Sequence, residues 1–370
     1  VTRRERHHER HRLVGIFRPR KPEHTHGDEM APDETVSRRT LMEIDPPQHT
    51  ALRHLVNRGF ARKLIETHEP EVRALAVEVV DTALNKTEFD FVSAIAKPLP
   101  MRMLGRILGT PPDDAEWLAE KGDQLIGNSD PDFTDHVIDR SDTEAFRLMP
   151  FRSPAGQELF DYAARQAELR RQNPSDDVIS LLLEPMKDGT MLTDLEFKNF
   201  FTLLASAGND TTRYTITAAV HAIANQPELL VRLRNAGDEL WDTAVEEFIR
   251  WASVTMHFRR TATRDIEIHN KIIKAGDKVV LWFISGNRDA SVFDNPYAID
   301  LARKPNPHMA FGRGGPHACI GMWLARLQLR AVLQHLVKRV QHIEQIEPES
   351  RLRSNFINGI KRMPVAVQPR

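Results

Sequence analysis

Apolar side chains recur at helical spacing along most of the chain. In "EVRALAVEVVDTAL", residues 71 to 84, Val72, Leu75, Ala76, Val79, Val80 and Ala83 form one stripe, which predicts an amphipathic helix. Similar stretches cover roughly 156–172, 194–224, 228–251 and 322–340, punctuated by Pro and Asp/Asn at "TPPDDAEW", "NPSDDV" and "NQPELL". The pattern changes at "DIEIHNKIIKAGDKVVLWF", which alternates apolar and polar residues about Gly276-Asp277 and is rich in β-branched side chains; it predicts a small hairpin. Residues 17 to 40, with Pro19, Pro22, Gly27 and Pro32, predict a mobile, irregular surface loop. The expected fold is mainly α with a small β subdomain. No repeat, long linker or low-complexity segment divides the chain, so residues 1–370 read as a single domain.

Composition narrows the partners. Charge is balanced, 51 Lys plus Arg against 52 Asp plus Glu, which removes any global argument for nucleic acid or an anionic membrane. No apolar run is long enough to span a bilayer, and the single cysteine, Cys319, excludes an internal disulfide; a reducing cytoplasm is expected. The opening "VTRRERHHERHR" is basic and His-rich without the apolar core of a signal peptide. His7, His8 and His11 have no carboxylate or cysteine at matching spacing, so a solvated basic segment is expected there in place of a metal site.

Three motifs carry candidate chemistry. Cys319 lies in "FGRGGPHACIG", at the end of a glycine-rich loop and the start of a helix, where the helix dipole is expected to lower the thiol pKa. Gly312, Gly314, Gly315 and Gly321 leave room for a flat ligand against the backbone. An inert buried cysteine is the competing reading, and a phosphate cradle lacks its GK[ST] continuation. In "EEFIRW", Glu247 and Arg250 stand three apart on a helix among Phe248, Ile249 and Trp251, so a buried ion pair is expected. In "LLASAGNDTTRYTI" a glycine and threonines weaken a helix, and a Thr hydroxyl bonding back to a carbonyl would open a groove. An acid followed by a hydroxyl there could relay protons.

In this order and at these intervals, the three motifs resemble the cytochrome P450 family of haem-thiolate monooxygenases. "DPPQHTALRHLV" looks like the family's haem-edge helix, "FRRTATRD" its strand beside the haem, and "ARKPNPHMAFG" its approach to the Cys loop. The resemblance implies a triangular helical prism with haem b between the acid–Thr helix and the helix after the Cys loop. It implies Cys319 as proximal ligand to haem iron, and His49, Arg53, Arg260 and His317 as holders of the propionates. Phe311, Gly312 and Gly321 would border the sulfur and the ring. Ala207, Gly208, Asp210 and Thr211 match the oxygen-activating groove, with Thr211 hydrogen-bonding dioxygen and Asp210 helping to deliver protons. Glu247 and Arg250 match the pair that locks the fold behind the loop, with Arg303 or Asn306 as a third member. Met256, Phe258 and Ile357 match positions that line the substrate pocket, although core packing explains them equally.

The implied reaction puts one atom of O2 into a lipophilic substrate, with electrons from a ferredoxin and its reductase or another electron-transfer protein. The expected docking face lies near Cys319, where Arg313, Arg326 and Arg330 either meet an acidic partner or are plain solvated helix charges. A haem-binding protein without oxygenase activity and a peroxide-driven peroxygenase are the alternatives. The interval from Phe311 to Cys319 is one residue longer than the common form; this and "NFINGIKRMPV" resemble a bacterial subset that oxidises sterols, methyl-branched lipids and terpenes. The chain also starts well inside the family pattern, without the usual first helix and strands.

Overall fold

The computed structural model describes residues 17–19 and 32–370, Gly314 excepted. His7, His8 and His11 lie outside the described residues. The segment expected to be an irregular loop contains strand β1 (Phe17–Pro19) and helix α1 (Pro32–Ser37). The strand forms because it finds a partner: it pairs antiparallel with β3, Phe17 opposite Ala262.

Helices α2 (Gln48–Phe60), α3 (Arg62–Thr67) and α4 (Glu69–Ala83) follow. In α4 the buried side chains are Val72, Leu75, Ala76, Val79, Val80 and Ala83, the stripe read from the sequence. After β2 (Glu88–Asp90) come α5 (Pro98–Leu108), α6 (Ala115–Ile126), α7 (Pro154–Gln172) and α8 (Val178–Leu182). Helix α9 (Asp194–Asn225) is 32 residues long, about 48 Å at 1.5 Å per residue. A capping box starts it: the Thr193 hydroxyl accepts from the Glu196 N–H at 3.3 Å, and the Glu196 carboxylate accepts from the Thr193 N–H at 2.9 Å. The one helix expected over 228–251 is two, α10 (Pro227–Arg234) and α11 (Asp238–Ala252). Arg234 ties the end of α10 to the Val340 carbonyl at 2.7 Å, and extended Gly237 restarts the chain ahead of an acidic first turn.

Strands β3 (His257–Ala262), β4 (Ile266–Ile268), β5 (Lys271–Ile273) and β6 (Lys278–Trp282) overturn the expected hairpin. Its tip is His269–Asn270, both at positive φ, joining β4 to β5; β6 pairs with β3 instead, His257 opposite Trp282. Gly276 at φ +90° only turns the chain between β5 and β6. Short α12 (Phe283–Gly286) and the 18-residue α13 (Met322–Arg339) complete the helices. Strands β7 (Val340–Gln345), β8 (Ser350–Arg351), β9 (Ile360–Arg362) and β10 (Pro364–Pro369) form a sheet ordered β2-β10-β7 and a separate β8-β9 pair.

Helix α9 is the axis of the packing: α5, α6, α7, α11 and α13 all lie against it. The large core gathers around it, and a second, smaller cluster holds Tyr214, Ala252, Val254, Leu352 and Ile357. No helix among the described residues is long and apolar enough to cross a membrane.

Candidate functional site

The loop before α13 fixes one thiol in space. The Cys319 N–H donates to the Phe311 carbonyl at 2.9 Å and the Gly312 N–H to the Met309 carbonyl at 2.8 Å. Gly312 adopts φ +69°, a conformation that excludes most side chains. At Gly315 and Gly321 a Cβ would point into open space, which leaves the backbone free for close approach of a flat group.

The state of the thiol differs from expectation. The side chain of Cys319 is reachable by solvent, yet burial among protein atoms pushes the thiol pKa up, against the Gly321 N–H and the charges of Arg53 and Arg326. Desolvation therefore outweighs the Gly321 N–H and the two guanidinium charges and favours the thiol, whereas a cation at the sulfur would favour the thiolate. Among the described residues no group of three His, Cys, Asp or Glu side chains could hold a metal. This donor set fits an iron whose remaining ligands come from a macrocycle.

A patch of bases sits beside it. The His49 and His317 rings are 4.1 Å apart, and three of their nitrogens, His49 Nδ1 and Nε2 and His317 Nε2, are buried without hydrogen-bond partners. Burial, then the charges of His49, Arg260 and Arg53, push the His317 pKa down to about 3. Burial and Arg53 lower His49, and burial lowers Arg260 against the pull of Asp45 and Glu43. Arg53, which is coupled to Cys319, donates to Asn57 Oδ1 at 3.0 Å. Orphaned buried nitrogens among cations fit a bound group with carboxylates, which would supply the missing acceptors.

One face of α9 is open. Ala207 is exposed midway along a helix that is otherwise mostly buried, and Leu203, Gly208, Thr211, Thr215 and Ala218 are partly exposed. The Thr211 hydroxyl donates to the Ala207 carbonyl at 2.9 Å and that of Thr215 to Thr211 at 2.8 Å, the back-bonding expected of them, yet the helix runs unbroken. Gly208 has a packing reason of its own: a Cβ would stand 2.8 Å from Leu104 Cδ1 of α5.

Asp210 does not share that face. It is fully buried on the α6 side, where the Arg213 guanidinium lies 2.5 Å from Asp123 Oδ1 and 3.1 Å from Asp210 Oδ1. Lys97 reaches Asp123 Oδ2 at 2.8 Å, Arg213 donates to the Tyr214 hydroxyl at 2.7 Å, and Asn209 donates to Asp210 Oδ1 at 3.0 Å. Asp210 Oδ2 receives no hydrogen bond from a protein donor, and the Asp123 carboxylate beside Asp210 can bond only to its protonated form. Burial, opposed by Arg213 and reinforced by Asp123, pushes the Asp210 pKa up to about 8; for Asp123, Arg213 and Lys97 overcome burial and lower it. Burial and the neighbouring carboxylate thus favour a proton on Asp210 over one on Asp123. Sequence reasoning missed Asp123 and Lys97, which join the cluster only when α6 and the start of α5 pack against α9; it also passed over Arg213, although that residue stands one helical turn from Asp210.

The second buried cluster lies behind the Cys loop. Arg250 Nε and Nη2 donate to the two carboxylate oxygens of Glu247, each at 2.8 Å. Arg303 Nε at 3.0 Å and Asn306 Nδ2 at 3.1 Å also donate to Glu247, so both candidates for the third member reach it. The remaining Arg250 donors take the Asn287, Pro296 and Ala298 carbonyls.

Other expected residues fall in several places. Met256 and Phe258 are half-buried, and Phe258 packs against Phe283 and Phe356 with ring centroids 5.8 and 5.4 Å away. Ile357 is 2% exposed inside the small apolar cluster. The Phe311 ring lies under Arg326, 4.7 Å from the guanidinium carbon. Arg326 and Arg330 are not free for a partner: Arg326 pairs with Glu246, which hydrogen bonds from Arg326 and His308 hold at about 2 despite burial, and Arg330 pairs with Asp238 and Asp242.

The cytochrome P450 family model matches residues 155–365. The methyl-branched lipid omega-hydroxylase of Mycobacterium tuberculosis is 39% identical over 329 residues, 88% of this chain and 74% of that protein. The steroid C26-monooxygenase of Mycolicibacterium smegmatis is 35% identical over 330 residues, 89% of this chain and 73% of that protein. The structure of a Mycobacterium marinum cytochrome P450 in complex with pseudoionone superposes with a TM-score of 0.88 at 35% identity, covering 99% of this chain and 86% of that one.

Proposed function

Because the chain belongs to the cytochrome P450 family, and so is a monooxygenase that uses haem-thiolate iron and O2, we propose that it hydroxylates a methyl-branched lipid or steroid as a single P450 domain, with haem b held through Cys319. The substrate class rests on the names of the relatives. The residue assignment rests on one observation: the chain's one thiol stands accessible beside a patch of orphaned histidine nitrogens. Neither a haem carrier nor a peroxide-driven enzyme is favoured by relatives named hydroxylase and monooxygenase.

When bound, the haem supplies the oxygen chemistry, with electrons from a separate protein that we take to be a ferredoxin served by its reductase. The chain's own residues bind, orient and hold a proton. His49, Arg53, Arg260 and His317 take the two propionates and relieve their unpaired nitrogens. Gly315 and Gly321 let the ring lie against the backbone. The Glu247–Arg250–Arg303 cluster fixes the loop that carries Cys319. Thr211 presents its hydroxyl to the groove, and Asp210 keeps a proton on its carboxyl on the neighbouring helix face.

The test is a spectrum. Reduced protein under carbon monoxide is expected to show the red-shifted Soret band of thiolate ligation, and Cys319→Ala to lose it. Haem bound by Cys319→Ala with an unchanged spectrum overturns the ligand assignment. A spin-state screen with branched lipids and steroids tests the substrate class; no shift with either would sink it.

A further inference from the structure

Neighbouring carboxylates on α11 serve different clusters. Glu247 is taken up by Arg250, Arg303 and Asn306, whereas Glu246 holds Arg326 of α13 and His308 of the approach to the Cys loop. The Arg326 fork is bidentate: Nε donates to Glu246 Oε1, and Nη2 donates to Oε2 at 2.9 Å. His308 Nε2 lies 2.9 Å from that same Oε2, and the buried His308 ring has its centroid 5.9 Å from that of Phe311. So fixed, the guanidinium carbon stands 4.7 Å from the Phe311 centroid and 5.1 Å from that of Trp323.

This arrangement bears on the thiol in two ways. Phe311, under the guanidinium, accepts the Cys319 N–H on its carbonyl at 2.9 Å. Arg326 is also one of the two guanidiniums, with Arg53, whose charge acts on the Cys319 sulfur. A cation fixed near a thiolate draws electron density from the sulfur and favours an added electron on a metal bound there. The Arg326 side chain is 22% exposed, so without its bidentate carboxylate it could swing into solvent. A lysine would have neither the fork nor the flat stacking surface. We propose that Arg326 is a positioning residue for the reaction: pinned by Glu246 and His308 over Phe311, it sets a fixed positive charge at the Cys loop and so raises the reduction potential of an iron bound to Cys319. This rests on the monooxygenase reading and on Cys319 as the ligand.

Spectroelectrochemical titration of the holoenzyme tests it. Arg326→Gln is expected to lower the ferric/ferrous midpoint, so that at the potential that half-reduces wild type the ratio of ferrous to ferric protein falls about threefold or more. Arg326→Lys, which keeps a cation but loses the fork, should fall between the two. Arg330→Gln, one turn further along α13, removes the same charge and should leave the midpoint at the wild-type value, which separates a local field from a general charge effect. The thiolate band under carbon monoxide should persist in all three. An unchanged or raised midpoint in Arg326→Gln overturns the proposal, as does an equal shift in Arg330→Gln. If Arg326→Gln takes up no haem, Arg326→Lys decides: a midpoint at or above wild type overturns the proposal, and a lower one supports it. Failure of the Cys319 assignment shows separately, as wild-type protein without the thiolate band.

Discussion

Two of the carboxylate–guanidinium clusters buried among the described residues are built to opposite specifications. Around Glu247 both carboxylate oxygens accept, from Arg250, Arg303, Asn306 and the Asp300 N–H, and the donors left on Arg250 take backbone carbonyls. Around Asp210 the accounting stays open: Arg213 Nε has no hydrogen-bond partner, and Asp210 can bond to Asp123 only while a proton lies between them. Both sites bury charge at similar depth, so burial alone does not separate a structural cluster from a responsive one. Saturation of the hydrogen bonds does.

The largest expected effect is at the saturated cluster. Glu247→Gln leaves two buried guanidiniums facing a neutral amide, and loss of one partner of such a cluster costs about 3–5 kcal/mol. Thermal unfolding and haem content should both collapse; a variant that folds normally would refute the contrast. At the open cluster Asp210→Asn should leave folding and the carbon monoxide spectrum intact while hydroxylation falls about a hundredfold, read as product formed per electron consumed.

The open cluster should also show in the pH dependence of stability. The Asp210 pKa rises from 3.8 to about 8 on folding, so between these values the native state binds the extra proton. Stability should therefore fall as pH rises from about 4 to 8 and level off above. Asp123, shifted the other way, titrates below that window. Urea midpoints across pH 5 to 7.5 should slope downward less steeply in Asp210→Asn than in wild type. The smallest effect belongs to an exposed pair: Arg330→Ala, which breaks contacts to the 92% exposed Asp238 and to Asp242, should change stability by no more than about 0.5 kcal/mol.

What could be read from the chain alone follows the same division. Glu247 and Arg250 are one helical turn apart, so their pairing is written in spacing, as is the stripe of α4; both depend on local periodicity. The Cys loop was legible for a related reason, since its glycines and single thiol are contiguous. Asp210 also has a partner one turn away, Arg213, but Asp123 and Lys97, which complete its cluster, come from far along the chain, and no local pattern marks them. Arg326 and Arg330 looked like free surface charge because their carboxylates sit on another helix. The hairpin was misplaced at Gly276 because His269 and Asn270 adopt positive φ, a conformation whose signal in the sequence is weaker than glycine's.

The chain's single thiol has a practical consequence. A thiol-reactive reagent can label this molecule at Cys319 alone, since that side chain is exposed. A ligated sulfur would be shielded, so the fraction of molecules that take up the reagent becomes a direct gauge of how many lack their prosthetic group. Wild-type protein can report its own cofactor loading, with no engineered label and no assay of turnover.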